Sequence, residues 1–420
     1  MARLQEPQRV LTLGAGGAAL GERLGGARGV ALALLVIGLA ASITLSETML
    51  IVLGAWLVWQ SLRRHATLSW PLATPVLAFA AWTLIAAALS GEPRTSLAAA
   101  RPLFLLATLW VVVNAIGTAA RARWFAGALF AALVAVSALS IVQVQTCSAD
   151  RLYAKAVGLP PVLGSFFSKC ERAHGFFSIY MTLAGVLTIV LTLMLPRLPT
   201  LRHRALAAAG WVVGALALAL TLVRGAWLGF GAGVLLLAGT MRRQVVVFAG
   251  VLVVGAALLA VPGVRHRAAS MADPGDPTAR ERMAMLSAGL TLLREHPVAG
   301  IGPGGVKRLY PEYAPAYAVR RHTSHLHDTP LQIAVERGLV GLALWLWLFA
   351  AFFARAVRTW RRLPADAAAD RALVAGGIAA VAAFLVAGLF EYNFGDTEVL
   401  LVALSVMALP LIVEREWAAT

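Results

Sequence analysis

Positive charge in this chain is strung between apolar segments instead of being gathered on one face, and that arrangement fixes most of what the chain can become. Twelve segments reach or approach the roughly 20 apolar residues that cross a bilayer. They lie near 28–45, 46–62, 71–90, 101–119, 124–145, 173–195, 205–222, 225–240, 244–262, 330–354, 371–390 and 397–413. The loops between them alternate in arginine content. Arg63 and Arg64, Arg121 and Arg123, Arg197, Arg202 and Arg204, Arg242 and Arg243, and the run from Arg355 to Arg371 all fall on one side, fourteen in all. The four short loops on the other side hold only Arg94, Arg101 and Arg224. Short Arg-rich loops stay cytoplasmic, so both termini are expected in the cytoplasm and the Arg-poor loops outside. The thinnest connection is "SITLSET", between the first two segments, which would also suit one long tilted helix.

Composition closes off other classes. The chain is 60% hydrophobic and 13% charged, whereas a soluble domain carries about a quarter of its residues charged. A net charge of +16 would suggest nucleic acid for a soluble protein. Here no continuous basic face carries aromatics for base stacking, so no nucleic-acid partner is expected. The polar N-terminal stretch has no small-residue cleavage site after the first apolar run and reads as a tail before an uncleaved span. The expectation is an all-α polytopic membrane protein of about 12 transmembrane helices, one domain over 1–420.

Two long loops, 146–172 and 263–329, lie on the Arg-poor side and are expected to build a helical cap there. Cys147 and Cys170 bracket the first. In an oxidising compartment they would pair, contributing on the order of 3 kcal/mol.

Charge at this outer edge is costly unless it faces a cavity or a partner. Arg224 sits in "TLVRGAWLG", a tight turn between two spans. Arg172 sits in "RAHGFF", just before a span, and Arg282 opens "RERMAMLSAGLTLLREH", whose apolar residues recur at three and four. Any one of them could simply snorkel to lipid headgroups. Several guanidinium forks at one depth suit a diphosphate, which they bind bidentately. Arg280 and Arg321, neighbours of these elements, join the candidate set.

The second long loop ends in "HTSHLHDTPLQIAVERGLVGL". Thr329 followed by Pro330 and Gln332 predicts a helix start with Thr329 as N-cap. His327 then lies just before a helix N-terminus, where the dipole and Arg320 and Arg321 act against a second positive charge. A neutral imidazole is the form that accepts a proton, so His327 is a candidate general base, with His325 as its rival. His325 and His327 would share a face of an extended segment. A metal site would need a third ligand, which His174, His266 or His296 could supply only through unseen folding. With no Asp-x-Asp pair and no Cys cluster outside, neither metal nor other cofactor is expected. "HPVAGIGPGGV" lacks the Lys and Ser/Thr of a phosphate loop and reads as a turn that aims its neighbours. Glu391, Asn393 and Asp396 in "EYNFGDTE" would pair with the arginines, orient an acceptor, or face solvent.

The elements "RAHGFF", "TLVRGAWLG", "ERMAML", "REHPVAGIGPGG" and "HLHDTPLQIAVERGLVGL" together resemble the O-antigen ligase and polymerase superfamily. Val223 stands where that family commonly has Ser, Leu286 where it has an aromatic, and Asp328 where it has Asn. The resemblance implies a GT-C-like membrane enzyme of the bacterial inner membrane. It would move a glycan from undecaprenyl diphosphate to an acceptor on the periplasmic face, without metal or nucleotide. Arg172, Arg224 and Arg282 would bind the diphosphate, and His327 would activate the acceptor hydroxyl. Ligation to lipid A-core is the preferred reaction, because protein-directed relatives usually extend further after the last span and the motifs concentrate in one loop. Polymerisation is the nearest alternative. A transporter or flippase for an anionic substrate is the reading from another class, and it would place charge near the bilayer midplane. Here the mid-span positions are almost purely Ala, Leu, Val and Gly.

Overall fold

A computed structural model describes residues 26–64, 67–146, 171–240, 245–270 and 276–418. Cys147 and Cys170 lie outside the described residues. The described chain is helical, and each apolar segment expected from sequence is a helix over most of its length. In order these are α1 (Ala27–Ala41), α2 (Ile43–Arg64), α3 (Ala73–Ala88), a short α4 (Pro93–Ala99), α5 (Thr108–Ile116), α6 (Ala119–Thr146), α7 (Tyr180–Met194), α8 (Arg204–Leu220), α9 (Arg224–Thr240) and α10 (Val245–Leu258). The cap helices α11 (Pro262–Ala269), α12 (Pro277–Glu295) and α13 (Gly305–Tyr313) follow, and α14 (Thr329–Arg362), α15 (Ala368–Ala387) and α16 (Thr397–Ala418) complete the bundle. Among the described residues, seven segments are long and apolar enough to cross a membrane, and shorter apolar helices accompany them. The protein is a multi-pass membrane protein.

The doubtful connection at "SITLSET" is resolved as two helices. Ser42 alone is extended between α1 and α2, and Gly38 lies against the Ser46 backbone, so the pair folds back on itself. The segment expected to begin at 173 starts later, at Tyr180. Residues 171–179 form an irregular strap instead, fastened by Ala173 N–H to Leu220 O at 3.1 Å and by Gly175 N–H to the Gln143 side chain at 3.0 Å.

Inside the bundle, α7 is buried along almost its whole length. Helix α9 reaches α15 because Gly225, Gly229 and Gly233 recur every fourth residue and form one bare stripe. Added side chains there would strike Phe390, Ala387 and the Ala383 carbonyl. This close approach sets Arg224, the first residue of α9, beside the loop that leaves α15. Among the described residues of the Arg-rich loops and the helix ends beside them, Arg123 pairs with Asp370 and Arg355 with Glu414.

The cap has its own small core of Met285, Leu292, Tyr310, Leu326, Leu331 and Val335. It is joined to the bundle through α14, where sequence expectation needs two corrections. Asp328, not Thr329, is the N-cap: its carboxylate accepts from Leu331 N–H at 2.9 Å. The Thr329 hydroxyl instead donates to the Glu391 carbonyl at 2.8 Å. Nor is α14 a continuous span from Pro330, because the helix breaks at Gly338 (φ 69°, ψ −179°). The break frees backbone groups that must find other partners. The turn "HPVAGIG" supplies most of them. Ile301 N–H donates to Val335 O at 2.9 Å, Gly302 N–H to Glu336 O at 3.0 Å, and Leu339 N–H to Pro297 O at 2.8 Å. The Trp82 indole takes the Arg337 carbonyl at 2.7 Å. The Gly-rich string is therefore a docking turn for the kink, and residues 329–337 belong with the cap.

Candidate functional site

One cavity of about 310 Å³ opens between the cap and the bundle, and the sequence candidates Arg172, Arg282 and His327 meet around it. Its walls include Arg172, Arg267, Arg282, Arg320, Glu281, His327 and Glu391. The strap places Arg172 with its guanidinium 4.4 Å above the Tyr180 ring. Helix α12 supplies Arg282, 6.0 Å from the Phe390 ring, and burial lowers the pKa of this guanidinium despite nearby Glu391. Helix α11 supplies Arg267, which the sequence did not single out. Its one local signal is a place on the short helix that follows an apolar span.

Arg224 stands behind this wall. Its guanidinium donates to the Ser270 carbonyl at 2.9 Å and forks onto Asp276 at 3.3 and 3.4 Å. Arg267 shares the same carboxylate at 3.6 Å. Asp276 also caps α12, accepting from Thr278 N–H at 2.7 Å. Burial pushes its pKa up, but the Thr278 hydrogen bonds and the Arg224 charge outweigh this and hold it at about 2. The α12 cap is thus ionised at neutral pH and anchors two of the clustered arginines. Two candidates lie apart from the cavity wall. Arg280 is exposed on α12, and Arg321 donates to the Ala314 carbonyl at 2.9 Å. Arg320 lines the cavity in Arg321's place, its N–H held with that of Val319 on the Glu281 carboxylate.

The two histidines differ in setting. His327 lines the cavity and takes a left-handed backbone (φ 52°), a conformation that costs a non-glycine residue about 1–3 kcal/mol and marks functional positions. Its Nδ1 lies 2.8 and 2.9 Å from the two Glu391 carboxylate oxygens. An ionised carboxylate only accepts, so Nδ1 carries the proton and Nε2 is left as the ring's acceptor. His325 stacks edge-on against His327 at 4.2 Å, and its Nδ1 is buried 3.8 Å from Glu391 without a hydrogen-bond partner. Burial and the neighbouring His327 lower the His325 pKa, so it stays neutral.

Glu391 is the residue sequence reading left least resolved. It lies on the loop after α15, 64 residues from His327, and no local pattern joins the two. Burial raises its pKa, but the hydrogen bond to His327 and the adjacent imidazoles more than reverse this and favour the carboxylate. Of its neighbours, Asn393 is buried, and Asp396 accepts from the Thr182 hydroxyl at 2.6 Å. His325, His327 and Glu391 offer three donor atoms within 4.8 Å of one another. The third ligand that sequence reading could not name is thus a carboxylate, and the triplet matches the donor chemistry of a zinc site.

Residues 208–346 match the family model described as O-antigen ligase. The match runs from α8 into α14 and so takes in Arg224, Arg282, His325 and His327, while Arg172 and Glu391 fall outside it. It supports the O-antigen ligase and polymerase superfamily and a glycosyl-transfer type of enzyme. No curated protein shows significant similarity to the chain.

Proposed function

We propose that this protein transfers a glycan from undecaprenyl diphosphate to lipid A-core oligosaccharide on the periplasmic face of the bacterial inner membrane. The observation that carries the reading is that one cavity holds both halves of the chemistry. Arg172, Arg267 and Arg282 line it together with the Glu391-backed His327. The arginine asymmetry of the loops supports a periplasmic site with cytoplasmic termini.

In this mechanism the acceptor hydroxyl gives its proton to Nε2 of His327 as its oxygen attacks the anomeric carbon. The bond from that carbon to the diphosphate oxygen breaks, and the electron pair leaves with the lipid diphosphate. Guanidinium groups neutralise the charge that develops there. Direct displacement inverts the anomeric centre. Glu391 touches no reacting atom; it is a positioning residue that fixes the ring tautomer and supports the imidazolium as it forms.

The test is to incubate purified protein with undecaprenyl-diphosphate glycan and either lipid A-core or a second carrier-linked glycan. Product on lipid A-core supports ligation; lengthened carrier-linked glycan identifies a polymerase; neither product defeats the proposal. Transfer surviving a strong chelator would dispose of a metal-dependent mechanism at the His325, His327 and Glu391 triplet. Arg267→Ala should raise KM for the donor by about tenfold or more, as loss of a charge-assisted contact does. Unchanged donor kinetics would remove Arg267 from the diphosphate site.

A further inference from the structure

Side chains alternate across residues 325–327. Leu326 turns into the cap core, and its N–H donates to the Gln332 side chain at 2.8 Å. The rings of His325 and His327 meet, 4.2 Å apart, beside the Glu391 carboxylate. That carboxylate is itself held. Its Oε1 accepts from Tyr392 N–H at 3.1 Å, and the Glu391 carbonyl accepts from the Thr329 hydroxyl at 2.8 Å. The same Oε1 lies 2.8 Å from Nδ1 of His327 and 3.8 Å from Nδ1 of His325. The His325 nitrogen is buried and makes no hydrogen bond, a costly state for a polar atom. The transfer mechanism gives His325 no task. Among the described residues, no other trio of His, Cys, Asp or Glu brings its donor atoms within 4.8 Å of one another.

We propose that His325, His327 and Glu391 bind a zinc ion, and that the ion switches off the His327 base. Two imidazoles and a carboxylate are a recurring three-ligand zinc set. Tetrahedral zinc with bonds of about 2.0–2.2 Å sets neighbouring donors about 3.4 Å apart. The observed 2.8 and 3.8 Å straddle that spacing, so closing on an ion needs only small side-chain movements. The ion would also give His325 Nδ1 the partner it lacks. Mg²⁺ and Ca²⁺ call for oxygen ligands and suit this nitrogen-rich set poorly. The effect on catalysis follows from the ring's proton count. A neutral imidazole carries one N–H, and against Glu391 it is at Nδ1. Zinc takes the Nδ1 lone pair, so the proton moves to Nε2. The ring loses no proton overall, but Nε2 changes from acceptor to donor. It can no longer take the proton of the acceptor hydroxyl, and attack on the anomeric carbon stalls. The blocking role rests on the His327 base reading above; zinc binding itself does not.

Binding is measured first, by titrating Zn²⁺ into the full chain in nanodiscs against a fluorescent chelator. His325→Ala, and His325→Gln with most of the side-chain volume kept, should bind zinc at least about tenfold more weakly. Removing even a hydrogen-bond partner of a metal ligand costs about 10–100-fold. His296→Ala, whose imidazole is exposed and outside the triplet, should bind like the parent. Glycan transfer is then assayed with and without Zn²⁺. Saturating zinc should slow the parent by about 100-fold or more, the scale of a general base's contribution, and a chelator should restore the rate. The same zinc concentration should slow His325→Ala far less, relative to its own zinc-free rate. Zinc captured by the donor's diphosphate would slow both proteins alike, and that result would overturn the proposal. So would equal slowing by Mg²⁺, or transfer that stops when zinc is stripped. Zinc held at the triplet with transfer undiminished would overturn the blocking role and the base reading together. A triplet that binds no zinc would overturn the site and leave transfer through His327 standing.

Discussion

His327→Asn is expected to lower the rate of glycan transfer by about 10²–10⁴-fold, the range a general base contributes, with KM for the donor nearly unchanged. Asn is the informative replacement because it tolerates the left-handed backbone at this position, so lost activity is not lost folding. It cannot accept the acceptor proton. His325→Ala should keep most activity, because its ring stands behind His327 and does not line the cavity. Glu391→Gln should follow His327→Asn in direction. The amide leaves the imidazole free to present the wrong tautomer, and the loss should fall on kcat more than on KM. Restoration of much of that loss by Glu391→Asp would mark a positioning role. Full transfer by His327→Asn would reject the base assignment, and a His325→Ala variant that loses activity in its place would move the base there.

Charge and hydropathy carried the architecture because each crossing helix satisfies its own backbone and needs only length and apolar composition. The apolar runs therefore read directly as helices, with errors at their ends and at the break in α14 at Gly338. Those end errors have physical causes. The segment before Tyr180 is apolar enough to look helical, yet Gly175 takes a positive φ (61°) and the strap bonds to α8 and α6 instead. At the other correction, Thr329 and Asp328 are both competent caps. The extended backbone at Asp328 decided between them.

The site was half legible. Arg172, Arg282 and His327 announce themselves as charge or imidazole at membrane-edge positions where neither is needed for solubility. Glu391 and Arg267 carry no such mark. Each becomes informative only when α9 packs on α15 through its glycine stripe, bringing the loop after α15 against the start of α14. Pairing of a carboxylate with an imidazole across 64 residues is a property of that packing and leaves no periodicity behind. Arg280 and Arg321 lie off the cavity wall for the converse reason: neighbours in sequence on a helix or a turn point in different directions.

Gly338→Ala should be the most damaging single methyl in the protein outside the reaction centre. A Cβ there would lie 1.8 Å from the Val298 carbonyl oxygen and 2.2 Å from its carbon. These are backbone atoms of the docked turn and cannot swing aside. The conformation itself, φ 69° with ψ −179°, is one that glycine alone adopts readily. Strain and overlap together should cost more than about 3 kcal/mol. The chain can relieve it by straightening α14 or by undocking residues 297–302. Either route abandons the hydrogen bonds from Ile301 and Gly302 to the kink. His327 precedes the kink on the same cap segment, so transfer should fall with stability. Hydrogen exchange resolves the cause: in the variant the amides of Ile301, Gly302 and Leu339 should lose protection before those of α7. Gly250→Ala is the matched control, because a Cβ there meets nothing within 4 Å and should leave the melting temperature unchanged. A Gly338→Ala protein that melts like the parent, with those amides still protected, would mean that the break in α14 is not held by the turn docked against it.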